Sequence, residues 1–179
     1  GWAVAANGAV TLDLATRRVV HARAMSAALI AEITQEIRRM LPSAGFAVEY
    51  LGAWGAEPHF LQHSEVPHLQ APMIELLARG PVVKLLVVDP ATPTEDLAAV
   101  VGERIAERLT VTLSHGAPAG MLELPAAGVS KALALAELLD DLGLAASRMI
   151  AFGDMPNDLA MLSLAGQGFT MSRAHPSVS

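Results

Sequence analysis

Three polar residues near the end of the chain could hold a cation beside a phosphate group. Asp154, Asn157 and Asp158 follow an apolar run of strand length, residues 149–152, and a helical pattern begins at Asn157. In an open α/β sheet, ligands bind outside the carboxyl ends of the strands. Carboxylate oxygens suit Mg²⁺, and a helix N-terminus suits phosphate. This acidic loop therefore has the composition of a magnesium and phosphate site.

A lysine stands at the start of another predicted helix. Lys131 follows the loop Gly128-Val-Ser, and Lys84 is the only other lysine of the chain. Leucines at helical spacing supply a buried stripe after it: Leu133, Leu135, Leu138, Leu139 and Leu142. This position suits a phosphate ligand, and the alternative is a solvated lysine on a surface helix.

Both acids also have a structural interpretation. Asp154 could be a loop acid or cap the next helix, and Asp158 could be a first-turn acid favoured by the helix dipole. The whole string Gly153-Asp-Met-Pro-Asn-Asp favours a functional role for Asp154. The two interpretations of Asp158 remain nearly balanced.

Together these segments resemble the haloacid dehalogenase superfamily, in particular its Cof-type, sugar-phosphatase-like group with a large α/β cap. Gly128-Val-Ser-Lys131 is similar to the third family motif, although Ala132 stands where a glycine is usual. The segments Gly153-Asp-Met-Pro-Asn-Asp158 and Ala160-Met-Leu162 are similar to the fourth. Two further segments look like core segments of that group: Asn7-Gly8-Ala9 and Phe169-Thr-Met171.

The resemblance implies a Mg²⁺-dependent phosphatase that hydrolyses small phosphate esters, chiefly sugar phosphates, through a covalent aspartyl-phosphate. It implies that Asp154 is the metal ligand, that Asn157 binds substrate or phosphate, and that Lys131 is both catalytic and phosphate-binding. It further implies that Asp158 is catalytic by orienting Lys131 or the water shell of the metal. A covalent intermediate turns one hard step into two easier ones, and cation and lysine stabilise the phosphoryl charge.

The first two family motifs are absent from these 179 residues. The first is Asp-X-Asp-Gly-Thr after a strand, which carries the nucleophile and an acid/base, and the second is a Ser or Thr after a core strand. In the family both would precede Gly1. Asp89 ends an apolar strand, but Pro90 and Ala91 follow it, so we interpret Asp89 as a turn residue. We therefore expect this chain to be inactive by itself.

Two alternative functions remain open at this stage. A related capped enzyme could act on phosphorylated glycosides or transfer phosphoryl groups within a sugar. The chain could also be a non-catalytic phosphate-binding module, or a truncated fragment of the fold, without a nucleophile. The region encoded upstream of Gly1 separates an enzyme from a binding module. Asp-X-Asp-Gly-Thr in that region supports an enzyme, and a natural start codon supports the non-catalytic module.

Composition limits the partners and the setting of the protein. Hydrophobic residues make up 53%, which excludes a disordered chain, and no apolar run approaches the roughly 18 residues of a membrane span. The net charge of −6, without a basic stripe, argues against nucleic acid. Zero cysteines favour the cytoplasm. We predict a cytoplasmic protein that binds a small phosphorylated substrate, and its oligomeric state stays open.

The predicted elements indicate an α/β fold that contains a compact α+β unit, and the resemblance implies that this unit is a cap domain inserted into a partial Rossmann-like core. Residues 1–23 form one core segment, residues 24–118 the cap, and residues 119–179 the core segment with motifs three and four. Asn7-Gly8 predicts a turn in a strand meander. In the last segment we expect a helix over 130–142, a strand over 149–152, a helix over 157–165 and a strand at 169.

Inside the predicted cap, Ser26 should cap a helix that ends near Leu41, and Thr94 should cap another. Strands are predicted over 46–51, 82–88 and 110–114, with a loop or short irregular pieces over 52–70 and a linker over 116–120. Lys84 is expected on an outward polar strand face, and Trp54, His59 and Phe60 on a surface that shapes substrate choice. A zinc site at His59, His63 and His68 is disfavoured, because prolines interrupt that segment and no cysteine joins it.

Overall fold

The structure, a computed structural model, describes residues 1–60, 69–113 and 120–178. The chain forms two compact units, which we call unit 1 (Gly1–Ala22 with Gly128–Ser179) and unit 2 (Arg23–Ala127). No helix within the described ranges is long and apolar enough to cross a membrane. The predicted linker at 116–119, and His63 and His68 of the zinc alternative, lie outside the described residues.

Unit 1 begins with an antiparallel sheet of three consecutive strands. These are β1 (Trp2–Ala5), β2 (Val10–Asp13) and β3 (Arg18–Ala22), paired in chain order. The short 3₁₀ turn Ala6–Gly8 joins β1 to β2, and the Asp13 carboxylate accepts a hydrogen bond from Ala15 N at 2.8 Å in the next turn. The predicted meander is confirmed.

Unit 2 is built around a six-stranded sheet. Its elements in chain order are α1 (Ala27–Met40), β4 (Gly45–Glu49), β5 (Trp54–Ala56), β6 (Leu69–Gln70), α2 (Met73–Leu77), β7 (Lys84–Val88), α3 (Thr94–Ile105), β8 (Thr112–Leu113) and β9 (Met121–Pro125). The strand order is β6-β5-β4-β7-β9-β8. Neighbouring strands are antiparallel except β5 and β6, which are parallel.

Strand alternation places apolar residues on both faces of this sheet. Leu85 and Val87 of β7 belong to the large core that also contains the apolar sides of α1 and α3. Leu86 and Val88 belong to a second, smaller cluster on the opposite face. Ser26 caps α1 as predicted, because its hydroxyl accepts from Leu29 N at 3.2 Å.

The elements of unit 2 differ from the predicted ones in three places. The segment 52–70, predicted as a loop or short irregular pieces, contains β5 and β6, because β5 pairs with β4 in a hairpin. Strand β9 was not predicted, and it pairs with β7 over its whole length. It lies beyond the predicted cap boundary at residue 118, while unit 2 extends to Ala127. Thr94 does not cap α3, since its hydroxyl accepts from Gly120 N at 2.9 Å.

Two side-chain predictions in unit 2 were also wrong. Lys84 is only 7% exposed, and its ammonium lies 2.9 Å from Glu49 Oε1 and 3.3 Å from Glu123 Oε1. Phe60 is 8% exposed within the second cluster, and its ring packs edge to face with Trp54 at 6.2 Å between centroids. Phe60 is therefore a core residue, because its ring fills the second sheet face.

The remainder of unit 1 follows a helix, strand, helix, strand order. Its elements are α4 (Lys131–Asp141), β10 (Ile150–Gly153), α5 (Leu159–Leu164) and β11 (Gln167–Thr170). Strands β10 and β11 are parallel. The predicted helix over 157–165 begins two residues later than expected, at Leu159, because Pro156–Asp158 forms a 3₁₀ turn before α5. The rest of the predicted order is confirmed.

The two-stranded sheet of unit 1 exposes large apolar side chains. Ile150 is 58% exposed and Phe152 is 64% exposed, and the Phe152 ring stacks on Phe169 at 5.3 Å between centroids. Ala151, which points to the opposite face, is buried. Parallel sheets are normally covered on both faces, so this face of unit 1 resembles the interior of a larger sheet.

Candidate functional site

The carboxylate of Asp158 lies at the centre of the predicted site. Its Oδ1 is 2.5 Å from the Lys131 ammonium. Its Oδ2 accepts hydrogen bonds from Asp154 N and Met155 N, each at 3.1 Å. Asp158 thus joins the start of α4 to the loop that follows β10, and both of its oxygens are already used in doing so.

Lys131 is the first residue of α4. Ser130 caps this helix, because its hydroxyl accepts from Leu133 N at 3.1 Å. The Lys131 ammonium also lies 3.5 Å from Asn157 Oδ1, the outer limit for a hydrogen bond. About a third of the Lys131 side chain stays exposed (31%), so its ammonium can meet an additional ligand.

Asp154 has the opposite character, because its backbone is held and its carboxylate is available. Its N–H donates to Asp158, and its carbonyl oxygen accepts from His175 N at 2.8 Å. The side chain is exposed and forms no hydrogen bond or ion pair with the described part of the chain. A fixed backbone with a free carboxylate at the end of a strand suits a cation ligand.

Burial and hydrogen bonding act in opposite directions on Asp158. Burial raises the pKa of its carboxyl, but the hydrogen bond from Lys131 and those from Met155 N and Asp154 N outweigh burial and leave the pKa below its usual value. Asp158 is therefore ionised at neutral pH, and it balances the positive charge of Lys131.

Two glycines allow these parts to approach closely. A Cβ at Gly153 would lie 2.6 Å from Asp158 Cβ, so a side chain there would displace the central carboxylate. Gly8 has φ +103, and a Cβ there would lie 2.1 Å from the Ser130 carbonyl oxygen. The turn between β1 and β2 therefore packs directly on the start of α4.

The far end of α4 is also tied to the meander. The His21 ring nitrogen Nε2 lies 2.6 Å from Asp141 Oδ2. Gly8 packs against Ser130 at one end of the helix and His21 meets Asp141 at the other. The meander thus contacts α4 at both ends, and it restrains the helix that carries Lys131.

The site offers the Asp154 carboxylate as a ligand for a cation. Among the described ranges, no three His, Cys, Asp or Glu side chains cluster closely enough to enclose a metal ion. Asp158 is not available, since Lys131 and two backbone N–H groups use its oxygens. The Asp154 carboxylate fits Mg²⁺, which binds proteins through one or two carboxylates and retains several waters.

The structure brings together all four residues predicted for the site. Lys131, Asp154, Asn157 and Asp158 lie around one loop of unit 1, and their chemical roles stay predictions. Asp89, the rejected nucleophile candidate, belongs to unit 2. There it is buried and accepts hydrogen bonds from Ser43 at 2.7 Å and Thr92 at 2.6 Å.

Sequence reasoning did not identify two supports of the site. The His175 backbone holds the carbonyl of Asp154, and Gly8 contacts the Ser130 carbonyl. No side-chain pattern signals a backbone contact such as that of His175. The Asn7-Gly8 pair did signal a turn, but which element the turn meets depends on tertiary packing.

Known proteins are similar to this chain in sequence. The sequence profile of the haloacid dehalogenase-like hydrolases matches residues 2–179. A phosphoglycolate phosphatase of Methanoculleus marisnigri is 39% identical over 74 residues, 38% of this chain and 32% of that protein. The 5-amino-6-(5-phospho-D-ribitylamino)uracil phosphatase YcsE of Bacillus subtilis is 32% identical over 80 residues, 45% of this chain and 32% of that protein. The matched parts span about a third of these two curated relatives.

Solved structures share the fold. BT1666 of Bacteroides thetaiotaomicron, described among the phosphatases of the haloalkanoate enzyme superfamily, superimposes with a TM-score of 0.79 at 24% identity. The superposition covers 99% of this chain and 65% of that protein. The predicted α/β fold class is thereby confirmed, since identity at this level supports a shared fold.

Proposed function

This chain belongs to the haloacid dehalogenase-like hydrolase family, as the sequence resemblance predicted, and we propose that unit 1 forms part of the active site of a phosphatase for small phosphate monoesters. The observation that carries the proposal is the shared carboxylate of Asp158, which fixes Lys131 beside the Asp154 loop. One residue therefore holds the proposed phosphate ligand Lys131 beside the proposed cation ligand Asp154.

Lys131 is the proposed phosphate ligand. Its ammonium has three donors, of which one is directed at Asp158 and another lies near Asn157. The exposed part of the side chain leaves a donor for a phosphate oxygen. Asp158 balances the charge of Lys131 before substrate binds and holds the ammonium in place, so we assign it the role of a positioning residue. Asn157 is proposed to contact substrate or phosphate.

Asp154 is the proposed ligand of Mg²⁺. Its free carboxylate and its fixed backbone support this role. When bound, the cation would offset negative charge on the phosphate oxygens. The acidic loop and the lysine would then bind one phosphate group from two sides, which is the arrangement that phosphoryl transfer requires.

We propose that the aspartate nucleophile is supplied by residues outside this chain. Among the described residues, the carboxylates of the site are Asp154, the proposed cation ligand, and Asp158, whose oxygens accept hydrogen bonds from Lys131 and from two backbone N–H groups. The exposed Ile150 and Phe152 support a further layer of structure over that face of the β10–β11 sheet. The compared structure also extends beyond the superimposed region, which is 65% of its length.

The proposed substrates are small phosphorylated compounds, with sugar phosphates as the leading class. The relatives act on phosphoglycolate and on a phosphoribityl compound, and both names describe phosphate monoesters. The cleaved phosphoester would pass through a covalent aspartyl-phosphate, as the family resemblance implies. A non-catalytic phosphate-binding module is the alternative, and the following experiment separates the two.

The test is hydrolysis of para-nitrophenyl phosphate by the protein as it is encoded, with and without Mg²⁺. Lys131→Met is expected to lower kcat by at least about a hundredfold, because a charge-stabilising group at the phosphoryl centre is lost. Asp154→Asn is expected to abolish the Mg²⁺-dependent hydrolysis. Asp140→Asn, on the exposed side of α4, is the matched control and should retain activity.

Phosphate binding by the 179-residue chain itself provides a second measurement. Lys84 and Lys131 are its only lysines, so a sample with isotope-labelled lysine gives two side-chain NMR signals. Inorganic phosphate with Mg²⁺ is expected to shift the Lys131 signal. A shift in an encoded protein that has no hydrolase activity would favour the binding module. The absence of both the NMR shift and the hydrolase activity would refute both functions.

A further inference from the structure

Unit 2 contains a pocket that the proposed phosphatase chemistry does not use. Its volume is about 380 Å³, within the range of small-molecule sites. The hairpin between β4 and β5 and the segment after α2 form its walls. The residues that line it include Tyr50, Leu51, Trp54, Leu69, Arg79 and Pro81.

The wall of the pocket is mainly apolar and aromatic. The Tyr50 hydroxyl donates to the Leu76 carbonyl oxygen at 2.7 Å, and this hydrogen bond fixes the position of the ring. Burial raises the pKa of Tyr50, although the nearby Arg79 charge opposes this shift, so the hydroxyl stays protonated and keeps its bond. The Trp54 side chain is held by its edge-to-face contact with Phe60. Two anchored rings provide flat surfaces for a planar ligand.

Arg79 is the charged residue in this lining. It is exposed, and it forms no ion pair with a carboxylate of residues 1–60, 69–113 or 120–178. The other arginines on this unit include Arg38 and Arg108, which bind glutamates at 2.5 Å and 2.6 Å. An arginine without an acidic partner beside an apolar pocket is complementary to an anion with an apolar body.

We propose that this pocket binds a small amphipathic anion, with a planar apolar body against Tyr50 and Trp54 and its charged group at Arg79. Aromatic carboxylates and sulfonates have this chemistry. The site is independent of Lys131 and Asp154, since all of its lining belongs to unit 2. The inference therefore goes beyond the proposed phosphatase function and does not depend on it.

Trp54 allows the site to be tested in the 179-residue chain. The chain has two tryptophans, and Trp2→Phe leaves Trp54 as the single fluorescence donor. The anionic probe is anilinonaphthalene sulfonate, and the neutral control probe is N-phenylnaphthylamine, which has the same rings without the charge. Energy transfer from Trp54 to each probe is titrated to give its Kd.

Arg79→Gln is expected to weaken binding of the anionic probe about tenfold, the effect of losing one charged hydrogen bond, and to leave binding of the neutral probe unchanged. Arg104→Gln, an exposed arginine on α3, should change neither. Ala53→Phe, which narrows the pocket without adding a tryptophan, should weaken binding of both probes. Equal affinity of the anionic probe for the Arg79→Gln and parent chains would overturn the proposal, as would unchanged binding of both probes in Ala53→Phe.

Discussion

The Lys131 ammonium and the Asp158 carboxylate meet at 2.5 Å, although 27 positions separate them in the chain. The same carboxylate accepts the backbone N–H groups of Asp154 and Met155. One side chain therefore sets the place of the lysine and the path of the acidic loop. A change at Asp158 should therefore alter stability more than a change at the exposed Asp154 or at the partly exposed Lys131.

Replacing Asp158 with Asn should destabilise unit 1. The amide keeps one acceptor oxygen but places an NH₂ group where an oxygen now accepts, and it removes the negative charge opposite Lys131. We expect a loss of about 2 kcal/mol in the free energy of unfolding, the cost of leaving a part-buried charge without its partner. Urea unfolding in a Trp54→Phe background measures this, because Trp2 then reports on unit 1 alone.

Asp154→Asn is the matched control for this measurement. Its side chain has no partner among the described residues, so its replacement should change the free energy of unfolding by less than about 0.5 kcal/mol. Equal effects of the two substitutions would contradict the central position of Asp158.

Acid should weaken unit 1 through the same carboxylate. The folded pKa of Asp158 lies below the unfolded value of about 3.9, so its contribution is complete above that value. It is lost as the pH falls through the lower folded value. Unfolding followed by Trp2 should show stability falling below about pH 4, with a smaller fall in Asp158→Asn. Some fall should persist, because the pKa of Asp13 is also lowered by its hydrogen bond from Thr16.

The turn at Gly8 should be required for the position of Lys131. Ala at Gly8 meets the Ser130 carbonyl, while Ala at Gly128, with φ +75, meets nothing within 4 Å. Both substitutions cost about 1 kcal/mol for the left-handed backbone. Gly8→Ala should cost about 1–3 kcal/mol more, because the collision must displace the start of α4. It should also shift the Lys131 NMR signal, assigned with Lys84→Arg.

Gly128→Ala serves as the control for that comparison. It keeps the backbone strain but lacks the collision, so the Lys131 signal should stay within the range of the parent chain. A shift of the same size in both variants would mean that strain in the loop, and not contact with the meander, sets the lysine.

Local patterns in the sequence were sufficient to predict where the candidate site residues lie in their strands, loops and helices. The strand, acidic loop and helix that carry Asp154, Asn157 and Asp158 span about fifteen consecutive positions, and a helix N-terminus locates Lys131 without tertiary information. The sheet edge then brings the two segments together. The apolar pattern likewise predicted the capped start of α1 at Ser26, since capping depends on residues within one turn.

Features that depend on distant partners were not predictable in this way. Strand β9 contains Glu123, which interrupts its apolar pattern, and its strand character comes from pairing with β7. Thr94 had the type and position of a cap, but its hydroxyl accepts from Gly120 instead. Strand alternation predicted Lys84 on an outward polar face. It is buried instead, because Glu49 and Glu123 on neighbouring strands pair with its ammonium. In each case the deciding contact lies at least 26 positions away.

Lys84 should be necessary for the stability of unit 2. It lies between Glu49 and Glu123, whose side chains are 30% and 13% exposed. Lys84→Met removes the ammonium that lies between two glutamates of neighbouring strands, and we expect a loss of about 3 kcal/mol. Urea unfolding of a Trp2→Phe background, in which Trp54 reports on unit 2, measures the change.

A second substitution separates charge from packing at this position. Lys84→Met with Glu123→Gln should be at least about 1 kcal/mol more stable than Lys84→Met alone, because one of the two negative charges around position 84 is removed from the sheet face. Glu32→Gln breaks the exposed pair with Arg108, whose atoms lie 2.9 Å apart, and should cost less than about 1 kcal/mol. If Lys84→Met costs no more than Glu32→Gln, burial has not strengthened the Lys84 pairs, and the sheet face must be better solvated than its exposed fractions indicate.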